Sequence, residues 1–89
     1  MLTRQLIIPN RLGLHARAAA RLVTTASRFN AEVYLEKDQT RVNGKSIMGV
    51  MMLAAGQGTR ITVITDGLDE SEAMEAICNL VEDGFGEAQ

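Results

Sequence analysis

Two periodicities alternate along this chain, and their order leaves few folds open. Glu32-Val33-Tyr34-Leu35-Glu36-Lys37 and Arg60-Ile61-Thr62-Val63-Ile64-Thr65 carry period-two apolar patterns, with Val33, Leu35, Ile61 and Val63 inward, as expected of strands with one buried face. Ala19, Leu22, Val23 and Ala26, and later Ala73, Ile77, Leu80 and Val81, recur instead at helical spacing. A first strand is predicted over residues 2–8, with Leu6 and Ile8 inward, Gln5 outward and Ile7 breaking the alternation. Pro9 ends it, because proline offers no ladder donor. The first helix is predicted over residues 16–27. Asp38-Gln39 makes a tight connection to a short returning strand, Thr40-Arg41-Val42, and Asn43-Gly44 is a turn signal leading to the next helix. Ser46 looks like an N-cap for that short helix from Ile47 to Leu53. The last helix runs from about 70 to 83, with Asp69 and Glu72 as a capping-box variant. Gly84 and Phe85 fit a Schellman-type end with Phe85 folded back.

The order β-α-β-β-α-β-α predicts an α+β fold. It is an open-faced β-sandwich, a four-stranded antiparallel sheet with three helices on one face and the other face wet. The 89 residues make one domain, 1–89, with room for one core and none for a deep enclosed active site.

Composition removes several classes of function. Nine basic and 11 acidic residues give a net charge of −2, and the aromatics are only Phe29, Phe85 and Tyr34. No basic surface for nucleic acid is expected from such a balance. The longest apolar stretch, around Ile47 to Ala55, is interrupted by Gly49 and too short to span a bilayer. The N-terminus lacks the long apolar core of a signal peptide. A cytoplasmic location without membrane insertion is therefore expected. Cys78 is the one cysteine, so no internal disulfide can form, and it reads as a small buried apolar side chain.

The chemistry concentrates at Gly13-Leu14-His15-Ala16-Arg17-Ala18-Ala19-Ala20, which holds the only histidine. His15 follows a turn-like segment and precedes strong helix formers, so it belongs at or next to an N-cap. The first amides of a helix lack internal partners, and the dipole places partial positive charge there. That is a site for anions. Arg17 adds a forked donor suited to phosphate. A helix start disfavours positive charge on the ring by about 0.3–1 kcal/mol, while a phosphorylated ring would be welcomed by the same groups. A lone histidine before a helix is more often a simple cap, and the residues alone leave both readings open. No second histidine or cysteine pair completes a usual zinc site, and no Ser/His/Asp arrangement is legible. The helix at Ile47 is apolar nearly all round, so some of Ile47, Met48 and Met51 should be exposed. A Met-rich exposed patch suits docking of several partners, although methionines also fill core gaps.

Two segments, Gly13-Leu14-His15-Ala16-Arg17 and Gly44-Lys45-Ser46-Ile47-Met48-Gly49-Val50-Met51, resemble the HPr family, the histidine-containing phosphocarriers of the bacterial phosphotransferase system. Leu53-Ala54-Ala55-Gly56-Gln57-Gly58-Thr59 and Asp66-Gly67 support the resemblance, which covers nearly the whole chain. It implies a carrier, not an enzyme, that works as a monomer without cofactor or metal. His15 would accept a phosphoryl group on Nδ1 from enzyme I and pass it to a histidine of an EIIA-type protein. Arg17 and the backbone of Ala16, Arg17 and Ala18 would hold the group. Ala20, Ile47, Met48 and Met51 would meet the partners. Ser46 would be the target of an HPr kinase/phosphorylase, although capping alone also explains a serine there. The family often has proline where this chain has Ala18, which adds one N–H at a less rigid helix start. Sugar and nitrogen-related branches stay open. Two requirements follow: the ring must not point into the interior, and the helix-start amides must not be taken by the chain's own carbonyls.

Overall fold

The computed structural model describes residues 1–87. Four strands, β1 (Leu2–Ile7), β2 (Glu32–Lys37), β3 (Thr40–Asn43) and β4 (Arg60–Asp66), form one antiparallel sheet in the order β1-β4-β2-β3. Three helices, α1 (Ala16–Ser27), α2 (Ile47–Met52) and α3 (Glu70–Glu82), cover one face, and a short 3-10 turn at Gly84–Gly86 closes the described chain. The expected α+β open-faced sandwich and its element order are therefore what the chain forms.

Register sorts the side chains. On the covered face Leu6 lies opposite Ile61 and Val63 opposite Leu35, all in the core. On the open face Gln5 pairs with Thr62, Thr62 with Glu36, and Glu36 with Arg41. Arg41 binds the Glu36 carboxylate at 2.6 Å and stands 5.4 Å over the Tyr34 ring. Ile64, on this same open face between Thr3 and Tyr34, is nonetheless buried, because its central strand is flanked on both sides.

The hairpin between β2 and β3 turns at Asp38 and Gln39, both with positive φ (50° and 70°). A two-residue loop with both residues left-handed is the twist that matches paired strands. α1 buries Ala18, Ala19, Leu22 and Ala26, so small side chains let it lie close. Val23 and Leu80, expected on the core stripes, are only partly buried against it. Cys78 is buried, and that burial pushes its thiol up.

Two helix ends need separate accounts. The expected capping box at Asp69 does not form, since Asp69 makes no side-chain bond to its own helix. Its two carboxylate oxygens instead accept the N–H groups of Asn30 (2.9 Å) and Ala31 (2.7 Å), fastening the end of the α1 connection to the start of α3. These bonds, the Asn30 amide first, hold the Asp69 carboxyl below its ordinary range. At the other end of α3, Gly84 and Phe85 both take positive φ (66° and 59°), and Phe85 is fully buried as expected. Burial of a ring that size stabilises by about 1.5–3 kcal/mol.

Candidate functional site

The segment before α1 rests on the loop before β4. Ile8 N–H donates to the Thr59 carbonyl at 2.9 Å, and Gly58 N–H returns to Ile8 at 2.8 Å. Gln57 Nε2 donates to the Pro9 carbonyl, and Leu14 N–H to that of Ala55 at 2.9 Å. Gly13 must be glycine at this crossing. Its φ is +68°, and a Cβ would stand 2.5 Å from the Ala55 oxygen. The chain then reaches His15 in extended conformation (φ −77°, ψ −179°), which is the backbone of an N-cap.

His15 caps α1 with its own ring. Its Nδ1 accepts the Arg17 N–H at 3.4 Å, while its carbonyl accepts the Ala19 N–H at 2.8 Å. Among the described residues no carbonyl takes the N–H of Ala16 or Ala18. The His15 side chain is 28 % exposed, so the ring lies at the surface. It lines an open cavity together with Arg11, Leu12, Ala16, Arg17, Arg21, Gly86 and Glu87. Arg17 is exposed, and Ala18 puts its methyl into the core while its N–H stays at the helix start.

Three residues that periodicity and motif spacing did not single out complete the site. Glu87 Oε2 lies 2.5 Å from His15 Nε2. The buried Asn10 side chain donates through Nδ2 to the Gly13 carbonyl at 2.8 Å and to Glu87 Oε1 at 2.9 Å. Arg21 donates to the Phe85 carbonyl, which fixes the turn that delivers Glu87. The Asn10 amide above all, then the His15 ring, hold the Glu87 carboxyl below its ordinary range. Asn10 lies in the turn segment directly after Pro9, where an asparagine reads as an ordinary turn former. Nothing local in the chain points from Glu87 to a ring 72 positions earlier.

A second surface lies on α2, which packs against α1. Ser46 caps α2, its Oγ accepting the Gly49 N–H at 3.1 Å. Ile47, Met48, Met51 and Met52 are 45, 74, 42 and 73 % exposed, whereas Val50 and Leu53 turn into the core. Ala20, on α1, is half-buried and lines a shallow apolar depression with Arg17, Thr24 and Leu80. The methionines at 48, 51 and 52 are thus surface groups rather than core filler. Among the described residues no helix is long and apolar enough to cross a membrane.

Comparison with known proteins assigns the class. Residues 2–83 match the family model described as the PTS HPr component phosphorylation site. The chain is 54 % identical over 89 residues to the phosphocarrier protein HPr of Neisseria meningitidis, covering all of both chains. It is 50 % identical over 82 residues to the HPr-like protein Crh of Halalkalibacterium halodurans, covering 92 % of this chain and 98 % of that one. A crystal structure of HPr from Thermoanaerobacter tengcongensis superposes with a TM-score of 0.96 at 45 % identity over the full length of both. These likenesses define a phosphocarrier of the phosphotransferase system built as an open-faced sandwich. The chain belongs to the HPr family.

Proposed function

We propose that this chain carries a phosphoryl group on Nδ1 of His15, taking it from phosphorylated enzyme I and handing it to a histidine of an EIIA-type protein in the sugar or nitrogen-related branch. The observation that carries this reading is the half-buried ring at the mouth of an open cavity at the start of α1, with Nδ1 turned to the Arg17 amide at 3.4 Å. A phosphoryl group on Nδ1 lies beside the N–H groups of Ala16, Arg17 and Ala18 and within reach of the Arg17 guanidinium. Backbone donors at a helix start favour an anion, and phosphoryl transfer needs mainly position and charge stabilisation. On this reading the phosphoryl group rests on the ring between two partners, which makes the protein a carrier rather than an enzyme.

Ala20, Ile47, Met48 and Met51 form the docking surface, since an exposed apolar patch beside the nucleophile lets a partner's histidine approach while the patch is covered. Ser46 stands at the edge of that patch. Phosphorylation there, by an HPr kinase/phosphorylase, adds about −1.5 to −2 charges next to Ile47 and Met48 without unfolding the helix start, and so weakens docking of acidic partners. On this reading the unit works as a monomer in the cytoplasm. The test is incubation with phosphoenolpyruvate and enzyme I, followed by assay for acid-labile, base-stable phosphate. The wild type takes it up and His15→Ala does not. Uptake by His15→Ala removes His15 as the carrier. No uptake by the wild type favours a second reading, an interaction module that works through the exposed Met48 and Met51 alone.

A further inference from the structure

We propose that Glu87 is a positioning residue for phosphoryl transfer: clamped by Asn10, its carboxylate accepts the Nε2–H hydrogen bond of His15 and so selects, for the neutral ring, the tautomer whose lone pair lies on Nδ1, facing the α1 amides. This rests on the carrier reading of His15 given above.

Several independent features put Glu87 there. Phe85 is fully buried, and its carbonyl is taken by Arg21. Glu87 N–H donates to the Gly84 carbonyl at 3.1 Å. Asn10 is fully buried, and its Nδ2 faces two acceptors, the Gly13 carbonyl and Glu87 Oε1, so its amide can be oriented only this way. One Glu87 oxygen is thereby spent on Asn10, and the other meets His15 Nε2 at 2.5 Å. The Glu87 side chain is 10 % exposed.

The two ring nitrogens then have complementary roles. Nδ1 faces a backbone N–H and must accept; Nε2 faces a carboxylate and must donate. A neutral imidazole satisfies both in only one tautomer. That tautomer carries its free lone pair on the nitrogen that faces the phosphate-binding amides. In transfer, that pair forms the N–P bond, and the bond from phosphorus to the donor breaks with its pair staying on the donor. The ring becomes cationic with its proton still on Nε2, and the Glu87 carboxylate balances that charge. In onward transfer the N–P bond breaks and its pair returns to Nδ1. Among the described residues Arg11, Arg17 and Arg21 are the other charged groups lining this cavity, and their charge attracts the incoming dianion. Among the described residues Glu87 is the one acidic side chain lining it.

The experiment uses the full chain labelled with 15N, with Glu87→Ala, Glu87→Gln and His15→Ala variants. Imidazole 15N shifts of the neutral parent should show the Nε2–H tautomer alone, and those of Glu87→Ala a mixture. Turnover with saturating enzyme I should fall about tenfold or more in both Glu87 variants, the order of one charge-assisted hydrogen bond. The KM for enzyme I should stay within about twofold, because the docking surface is untouched. A parental rate in both variants overturns the proposal, and so does a faster rate, which would make the carboxylate an obstacle to the dianion. An Nδ1–H tautomer in the parent overturns it whatever the variants do. Failure of the carrier reading has a different signature, since His15→Ala would then still accept phosphate.

Discussion

Gly13 is the residue at which backbone geometry most directly determines where the nucleophile sits. Its left-handed φ of +68° and the 2.5 Å approach to the Ala55 oxygen exclude a side chain twice over. Gly13→Ala should cost at least about 1–2 kcal/mol from the backbone alone, more if the 53–59 loop must move, read as a lower urea midpoint. A midpoint equal to wild type would mean the crossing is looser than described. His15 and Gly13 were both conspicuous in the chain, one as the lone histidine and the other as the glycine of its motif. Their partners were not. Asn10 and Glu87 meet through side chains 77 positions apart, and no period or spacing encodes such a contact. Asp69 shows the same limit from another side. Its local pattern suits a capping box, but two amides at the end of the α1 connection offer both its oxygens a partner, which a box would not.

At the scale of elements, helix α2 has one face in the core through Val50 and another in solvent through Met48 and Met52. A six-residue helix apolar nearly all round cannot bury every face in so small a chain, so its exposure was legible before the fold was known. Its ends are held by side chains. Ser46 Oγ caps the start, and Lys37 Nζ takes the carbonyls of Leu53 (3.0 Å) and Ala54 (3.3 Å) beyond the end. The lysine contact joins β2 to α2 and could not be read from either segment. Ser46→Asp tests the element's role in docking. Aspartate is a good N-cap, so stability should stay within about 0.5 kcal/mol of wild type while transfer from enzyme I slows. Unchanged transfer in a folded Ser46→Asp protein would count against regulation at this position.

For the molecule as a whole, the element order and layer arrangement were the most legible part, because α1, β2, β4 and α3 carry their own periods and turn and cap signals place β3 and α2, whereas the strand order β1-β4-β2-β3 is set by long-range pairing that no local pattern encodes. Acid stability is a property of this whole. Asp69, Glu70 and Glu87 all have carboxyl groups held below their ordinary range, by the Asn30 amide, the Gly67 amide and the Asn10 side chain respectively. A carboxyl whose folded pKa is depressed contributes stability above its unfolded pKa and loses it as pH falls through the folded one. The urea midpoint should therefore be level through neutral pH and fall on acidification through and below the ordinary carboxylate range. Asp69→Asn, which has one acceptor for two amides, should start from a lower midpoint at neutral pH and show a shallower acid drop. An equal drop in both proteins would place the acid sensitivity elsewhere.

The most direct measurement of the central claim is a phosphorus–proton correlation spectrum of the wild-type chain after phosphorylation by enzyme I and phosphoenolpyruvate. Coupling from the phosphorus to the ring protons of His15 in the pattern of an Nδ1 adduct is the predicted result. A phosphorus signal coupled through Nε2, or to a residue other than His15, would contradict it.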